Sequence, residues 1–209
     1  AHERARMRVW TKLQDDVEPF GFEELRSVIE TELESPLELV FDSIEKTPLG
    51  AASIAQVHRA VLRSGEPVVV KVQRPRIASN AALDLEIMQQ IAILMERHIE
   101  GWALHQPAAM VDELAKSLEK ELDFTREAAH LERFAWQFGE EEAIYIPKVH
   151  YSASTGRLLT MEYIDAIKAS DLEKLDEAKL DRNTIAANIA DLIMKQIFEH
   201  GFFHADPHP

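Results

Sequence analysis

Gly50-Ala51-Ala52-Ser53-Ile54-Ala55-Gln56-Val57-His58 is followed a few residues later by Pro67-Val68-Val69-Val70-Lys71-Val72-Gln73, and these two stretches decide how the chain is read. The second is a β-branched run bounded by Pro67 and Pro75, which predicts a strand. Residues 56–62 carry a similar mixture, and Ser64-Gly65-Glu66-Pro67 between them is a turn, so the pair predicts a hairpin. Lys71 stands alone among valines. Successive side chains of a strand point to opposite faces, so Lys71 faces away from Val70 and Val72. It is either a charge that guards an exposed edge or a cation held for a ligand. The small-residue stretch before the hairpin admits two matching readings. It is a tight turn, or it is a loop whose backbone N–H groups cradle phosphate oxygens.

Working outward, residues 1–34 read as helical. Trp10, Leu13 and Val17 recur at helical spacing, and Phe22, Leu25, Val28, Ile29 and Leu33 resume it after the break at residues 19–21. Pro36 ends that helix, and Leu39-Val40-Phe41 predicts a short strand. After the hairpin, Leu83, Ile87, Ile91, Leu94 and His98 form one helical stripe, with Asn80 as its cap. A second stripe runs from Val111 through Leu114, Leu118, Leu122, Leu131 and Phe134 to Phe138, stopped by Gly139. Residues 145–151 and 157–164 predict two more strands around a turn at Ser154-Thr155-Gly156. A last helix, capped by Asp181 or Asn183, is expected to bury Ile189, Ile193 and Ile197 and to end at Gly201.

Composition bounds the function. The chain has 209 residues, with 23 Lys+Arg against 37 Asp+Glu and a formal charge of −14. That acidic balance argues against a nucleic-acid binder, which needs clustered cations. There is no cysteine, which excludes disulfides and thiolate metal sites. No apolar run reaches the length of a membrane span. The chain starts at Ala1 without Met and stops straight after a dense motif, so an excerpt of a longer protein is expected.

Two further stretches carry chemistry. In Glu121-Leu122-Asp123-Phe124-Thr125-Arg126-Glu127, one continuous helix would put Asp123 and Glu127 on the same face, where like charges repel by a few tenths of a kcal/mol. A cation between them would remove that cost; otherwise the run is a solvated acidic face. In Phe203-His204-Ala205-Asp206-Pro207-His208-Pro209, a His-x-Asp follows an amphipathic helix. His204, Asp206 and His208 could also be metal ligands, but Pro207 and Pro209 forbid the helix that would align the two histidines. The order of small-residue loop, strand lysine, helix acids, strand and connector, helix and His-x-Asp loop matches the lobes of protein kinases. There the strand lysine holds phosphates and pairs with a helix glutamate, and the loop aspartate orients the acceptor.

Residues 51–58, 69–75, 121–127 and 203–209 together resemble the UbiB (AarF, ADCK-type) family of atypical protein-kinase-like proteins, over nearly the whole chain. The choline/aminoglycoside kinases share a similar His-x-Asp-x-His-Pro loop but lack the Ala-Ser-Ile-x-Gln-Val-His stretch. The resemblance implies an α+β, atypical kinase-like fold. Residues 1–36 would be an N-terminal helical extension. Residues 37–164 would be a nucleotide lobe with inserted helices, and 165–209 the start of a helical second lobe ending in the catalytic loop.

The resemblance also implies site roles. Lys71 would be the strand lysine, Glu127 its ion-pair partner and Asp206 the catalytic-loop acid. Ala51, Ala52, Ser53, Ile54 and Ala55 would replace the glycine-rich loop over the nucleotide phosphates. Glu162 and Ile164 would offer backbone to adenine, and Glu121 and Asp123 would be the family's Glu-x-Asp pair. The cofactors implied are ATP or ADP and Mg2+, with the magnesium ligands expected beyond Pro209, so that this stretch alone would be inactive. The family's Lys-x-Gly-Gln motif is absent. The expected activity is that of an ATP-dependent kinase or ATPase supporting ubiquinone or other prenylquinone biosynthesis. Prenylquinone-pathway enzymes or lipid would be its partners. It would work peripherally at a membrane, on the cytoplasmic or organelle-matrix side. The alternatives are a small-molecule kinase of the choline/aminoglycoside type and a nucleotide-binding scaffold that transfers no phosphate.

Overall fold

The computed structural model describes residues 17–201, apart from 142, 168 and 170. The chain divides into two units. The described part of the first comprises residues 17–132 and 147–163, and that of the second residues 133–146 and 164–201.

The first unit is organised by a five-stranded antiparallel sheet of β1 (Phe41–Ile44), β2 (Gly50–Ala51), β3 (Ala55–Leu62), β4 (Pro67–Gln73) and β5 (Leu158–Glu162). Its order is β1-β3-β4-β5, with β2 also pairing on β3. The predicted hairpin is β3–β4, closed by a turn in which Gly65 adopts φ +90, a backbone conformation that costs glycine little. Lys71 lies opposite Val57 on one side and Leu159 on the other.

The pleat sorts the β4 side chains onto two faces. Val68, Val70 and Val72 are fully buried and pack with Ala60, Leu62 and Leu158 against α1 (Phe22–Leu33), through Leu25, Val28 and Ile29. Each fully buried side chain of this kind contributes about 1.5–3 kcal/mol. On the face of Lys71, a smaller cluster joins Ala55 and Leu159 to Phe124 and Ala128 of the helix that follows Asp123, with Ile54, Val149 and Met161 at its margin. Between β4 and that helix the chain inserts α3 (Ile77–His98) and α4 (Pro107–Glu121), which pack on each other.

Several sequence expectations change in the folded chain. Residues Leu37–Val40 form a helical turn, α2, started by Pro36 at φ −54, and the strand begins only at Phe41. Asn80 lies inside α3, whose N-cap is Arg76 in the left-handed region at φ 61. The α3 stripe of Leu83, Ile87, Ile91 and Leu94 faces outward, each more than half exposed, while Ala92 on the opposite side is buried. The stripe from Val111 to Phe138 is two helices, α4 and α5 (Phe124–Phe138), broken at Leu122-Asp123. Residues 145–151 make only a single bridge, Val149 to Met161, and a 3-10 turn over Tyr151–Ala153. Pro147 has no N–H to offer a ladder, and the Lys148 amide donates instead to the Glu162 carboxylate at 3.2 Å.

In the second unit, α6 (Leu172–Glu177) is capped by Asp171, and α7 (Arg182–Phe198) by Asp181, whose carboxylate accepts from the Asn183 and Thr184 amides. Lys195 pairs with Glu141 at 2.7 Å, and Gly201 after α7 adopts φ +60. Ile189, Ile193 and Ile197 are 44%, 38% and 45% exposed, contrary to the expected burial, because no described residue covers that face of α7. The expected helix around Trp10 and Leu13 lies outside the described residues.

His58 makes the stability of the first unit depend on pH. It is 1% exposed on β3, its Nδ1 donates to the Glu45 carbonyl at 2.8 Å, and Nε2 has no partner among the described residues. Burial pushes its pKa below the ordinary 6.5. The unfolded chain therefore binds the proton more readily. The stability tied to neutral His58 is complete above pH 6.5 and falls as the pH drops below it, by at most about 1.4 kcal/mol per pH unit. Thermal melts between pH 7.5 and 5 are expected to show that decline, and His58→Gln to flatten it.

Candidate nucleotide site

Lys71 is placed by the strand alternation already described. Its ammonium leaves β4 on the face opposite the valine core and meets Glu127 of α5, with Nζ 2.6 Å from Oε2. The Phe124 ring lies beneath it, Nζ being 4.9 Å from the ring centroid. The Lys71 side chain is 22% exposed and Glu127 40%. The pair is thus half in water and contributes little to stability. What it does chemically is hold a cation in one place with one side open, next to the small-residue loop.

The loop itself is tied down. Leu49 N donates to Val57 O at 2.7 Å, Ala52 N to Ala55 O at 2.8 Å and Arg74 N to Ile54 O at 2.8 Å. Arg74 also donates from Nε to Ala52 O at 2.8 Å and from Nη2 to Glu18 O at 3.0 Å. Gln56, 1% exposed, holds the Phe20 peptide at both ends, accepting from its N and donating to its O at 3.1 Å each. Within the loop the residues differ in exposure. Ala52 and Ser53 are exposed, Ala51 and Ile54 half-buried, and Ala55 is buried in the Phe124–Leu159 cluster.

Asp123 and Glu127 do not share a helix face. Asp123 precedes α5 and caps it: its Oδ1 accepts from Thr125 N at 3.0 Å and from Thr125 Oγ1 at 2.6 Å. A carboxylate there satisfies an amide that the helix leaves unpaired and suits the positive end of its dipole. The cation expected between two acids therefore bears on Glu127 alone. Glu121 is the last residue of α4 and is exposed.

Glu162 closes β5, and its amide donates to Lys148 O at 2.8 Å. Ile164 is 40% exposed and falls in the second unit. Asp206, with His204 and His208, lies outside the described residues. Among the described residues, no group of three or more His, Asp or Glu side chains could hold a metal ion.

The sequence reading passed over four residues that build this site: Phe124, Gln56, Gln73 and Arg74. Each had a signal. Gln56 and Gln73 are uncharged polar residues inside largely apolar strands, and both are 1% exposed with a hydrogen bond at the amide oxygen and another at the nitrogen. A buried amide without partners would cost about 1–3 kcal/mol, so such residues mark a constructed contact.

The chain is similar to known proteins over nearly all of its length. A family model described as the ABC1 atypical kinase-like domain matches residues 12–209. The chain is 39% identical over 202 residues to the chloroplastic protein Activity of bc1 complex kinase 8 of Arabidopsis thaliana, covering 95% of this chain and 26% of that protein. It is 37% identical over 197 residues to AarF domain-containing kinase 1 of Drosophila melanogaster, covering 94% and 38%. It is 36% identical over 198 residues to the probable protein kinase UbiB of Cellvibrio japonicus, covering 94% and 36%. The chain thus spans about a third of the length of these relatives. Among solved structures, a Mycobacterium tuberculosis protein in complex with erythromycin superposes with a TM-score of 0.76 at 27% identity, covering 91% of this chain and 47% of that one. With the family model matching residues 12–209 and relatives 36–39% identical over nearly the whole chain, the chain belongs to the ABC1 atypical kinase-like family.

Proposed function

We propose that the full-length protein containing this chain binds ATP or ADP with Mg2+ and acts as an atypical kinase or ATPase. The observation that carries the reading is the 2.6 Å pair of Lys71 and Glu127 beside a small-residue loop whose backbone is already fastened. A lysine held by a glutamate presents its remaining N–H groups in a fixed direction, and phosphate oxygens are the acceptors that suit them. Ala51, Ala52, Ser53, Ile54 and Ala55 are proposed to cover the phosphates through their backbone, with small side chains at all but Ile54. Glu162 and Ile164 are proposed to meet adenine through backbone. Asp206 is proposed to orient the acceptor hydroxyl or water, and Glu121 and Asp123 to border the substrate side. Magnesium, when bound, neutralises phosphate charge; its ligands are proposed to lie beyond Pro209.

We propose further that the full-length protein supports ubiquinone or other prenylquinone biosynthesis, peripherally at a membrane, as the resemblance to the UbiB family implies. The relative named as chloroplastic supports an organellar setting for some members. We assign residues 1–36 to an N-terminal extension, 37–164 to the nucleotide lobe and 165–209 to the start of the second lobe.

The test is a titration of the full-length protein with ATP and ADP in the presence of magnesium. Lys71→Met is expected to weaken nucleotide binding about ten- to hundredfold, the range for losing hydrogen bonds to a charged group. Undiminished binding would remove Lys71 from the site and with it this reading.

A further inference from the structure

We propose that Arg157, held by Glu32 and acting through Gln73, is a positioning residue that sets the register of α5 and so keeps Glu127 on Lys71. The inference rests on the nucleotide reading above and names what holds that site in its competent form.

The contacts form one unbroken chain. Glu32, on α1 and only 16% exposed, accepts from Arg157 Nη1 at 3.2 Å and from Thr155 Oγ1 at 2.6 Å. Arg157 Nε donates to Gln73 Oε1 at 3.0 Å. Gln73 Nε2 donates to the Leu122 carbonyl at 2.7 Å. That carbonyl lies in the break between α4 and α5, next to the capping Asp123. Backbone contacts run beside the side chains: Gln73 N donates to Arg157 O at 3.0 Å, and Phe124 N to Gly156 O at 2.8 Å.

The position of Gln73 gives the chain its purpose. Gln73 and Lys71 are two apart on β4 and leave the strand on the same face. β4 therefore grips α5 at two points, Lys71 on Glu127 and Gln73 on the peptide just before the helix. Helix capping does not need the second grip, because Asp123 already caps α5. What the second grip adds is location. With it, α5 is fixed in translation and rotation against the strand that carries the lysine. Without it, α5 keeps the apolar packing of Phe124 and Ala128, the Phe124 N to Gly156 O bond and the half-exposed ion pair; apolar packing is non-directional and such pairs are weak, so the register of Glu127 on Lys71 is held less tightly. Gln73 is aimed by Arg157, which is itself set by Glu32, so a helix remote in sequence bears on the lysine–glutamate pair.

The experiment uses the full-length protein and two readouts. The first is hydrogen exchange without nucleotide. Arg157→Met is expected to speed exchange across residues 122–130 about tenfold or more, while β3 and β4 keep their protection. Unchanged exchange there would overturn the proposal.

The second readout is ATP affinity in a double-mutant cycle with Glu127→Gln. Arg157→Met is expected to weaken binding about three- to tenfold when Glu127 is present and less than about twofold when it is replaced, because the relay acts through that residue. Equal losses in both backgrounds would make Arg157 a general stabilising contact and overturn the proposal. Glu32→Gln, which keeps the side-chain volume, is the second variant in case Arg157→Met does not fold; the same pattern is expected at about two- to threefold. The nucleotide reading fails separately, if Lys71→Met leaves ATP binding intact. Hydrogen exchange then decides the relay alone.

Discussion

Asp206→Asn in the full-length protein is expected to lower magnesium-dependent phosphate turnover about 10²–10⁴-fold, the contribution of a positioned acid or base, while nucleotide affinity stays within about twofold. The two effects separate because the groups proposed to hold the nucleotide are other residues. Lys71 is fixed by Glu127 and by the ring of Phe124, and the loop before it is fixed by Arg74 and by its own backbone bonds. None of these contacts involves Asp206. The asparagine keeps the size of the side chain and removes the charge, so a loss of turnover reports the charge. A release assay for phosphate or ADP, run beside a binding titration, gives both numbers. Unchanged hydrolysis would reject an enzymatic role for Asp206 and favour a nucleotide-binding scaffold. A parallel loss of binding would mean that Asp206 holds the nucleotide rather than the acceptor.

Phe124→Ala is expected to destabilise the first unit by about 3–5 kcal/mol, the usual cost of emptying a buried phenylalanine site. Phe124 is 1% exposed and is the largest member of the cluster with Ala55, Ala128 and Leu159. Two of its three buried partners are alanines, which have no rotamers with which to fill the gap. The same ring lies under the Lys71 ammonium at 4.9 Å, so the substitution should also loosen the lysine and weaken nucleotide binding beyond the effect on folding. Phe124→Leu is expected to recover more than half of the lost stability without restoring the cation–ring contact. Thermal melts and nucleotide titrations of both variants check the two parts. Equal melting temperatures for wild type and Phe124→Ala would show that the cluster is not part of the core.

The local rules that worked are those in which neighbours along the chain decide. The valine run with one lysine had to place Lys71 on the opposite face of its strand, because the period of a strand is two. The turn at Gly65 and the cap at Asp181 followed from backbone chemistry within four residues. The family motifs pointed to Lys71 and Glu127 as partners 56 residues apart in sequence, and the structure brings them to 2.6 Å.

Where those rules failed, a distant partner decided. Periodicity across Leu122-Asp123 favours one helix, yet Gln73 and Gly156 take the carbonyl and amide that a continuous helix would have used within itself. Apolar residues at helical spacing say that a face exists, not which way it turns. On α3 the stripe of Leu83, Ile87, Ile91 and Leu94 points outward, while Gln89 and Glu96 bond Asp112 and Ala108 of α4. Residues 145–151 have strand composition, but the Lys148 amide finds a carboxylate across the turn.

From the sequence alone came the hairpin, the face of Lys71, the capping of α7 and the family to which these motifs belong, since each rests on the local period or on residue identity. The tertiary structure alone decided that Asp123 caps a new helix and that Gln73, Arg157 and Glu32 fasten it. It also decided that Phe124 floors the lysine. A buried polar side chain must find its partner in space, and those partners lie 49, 84 and 125 residues away along the chain, beyond the reach of any local pattern.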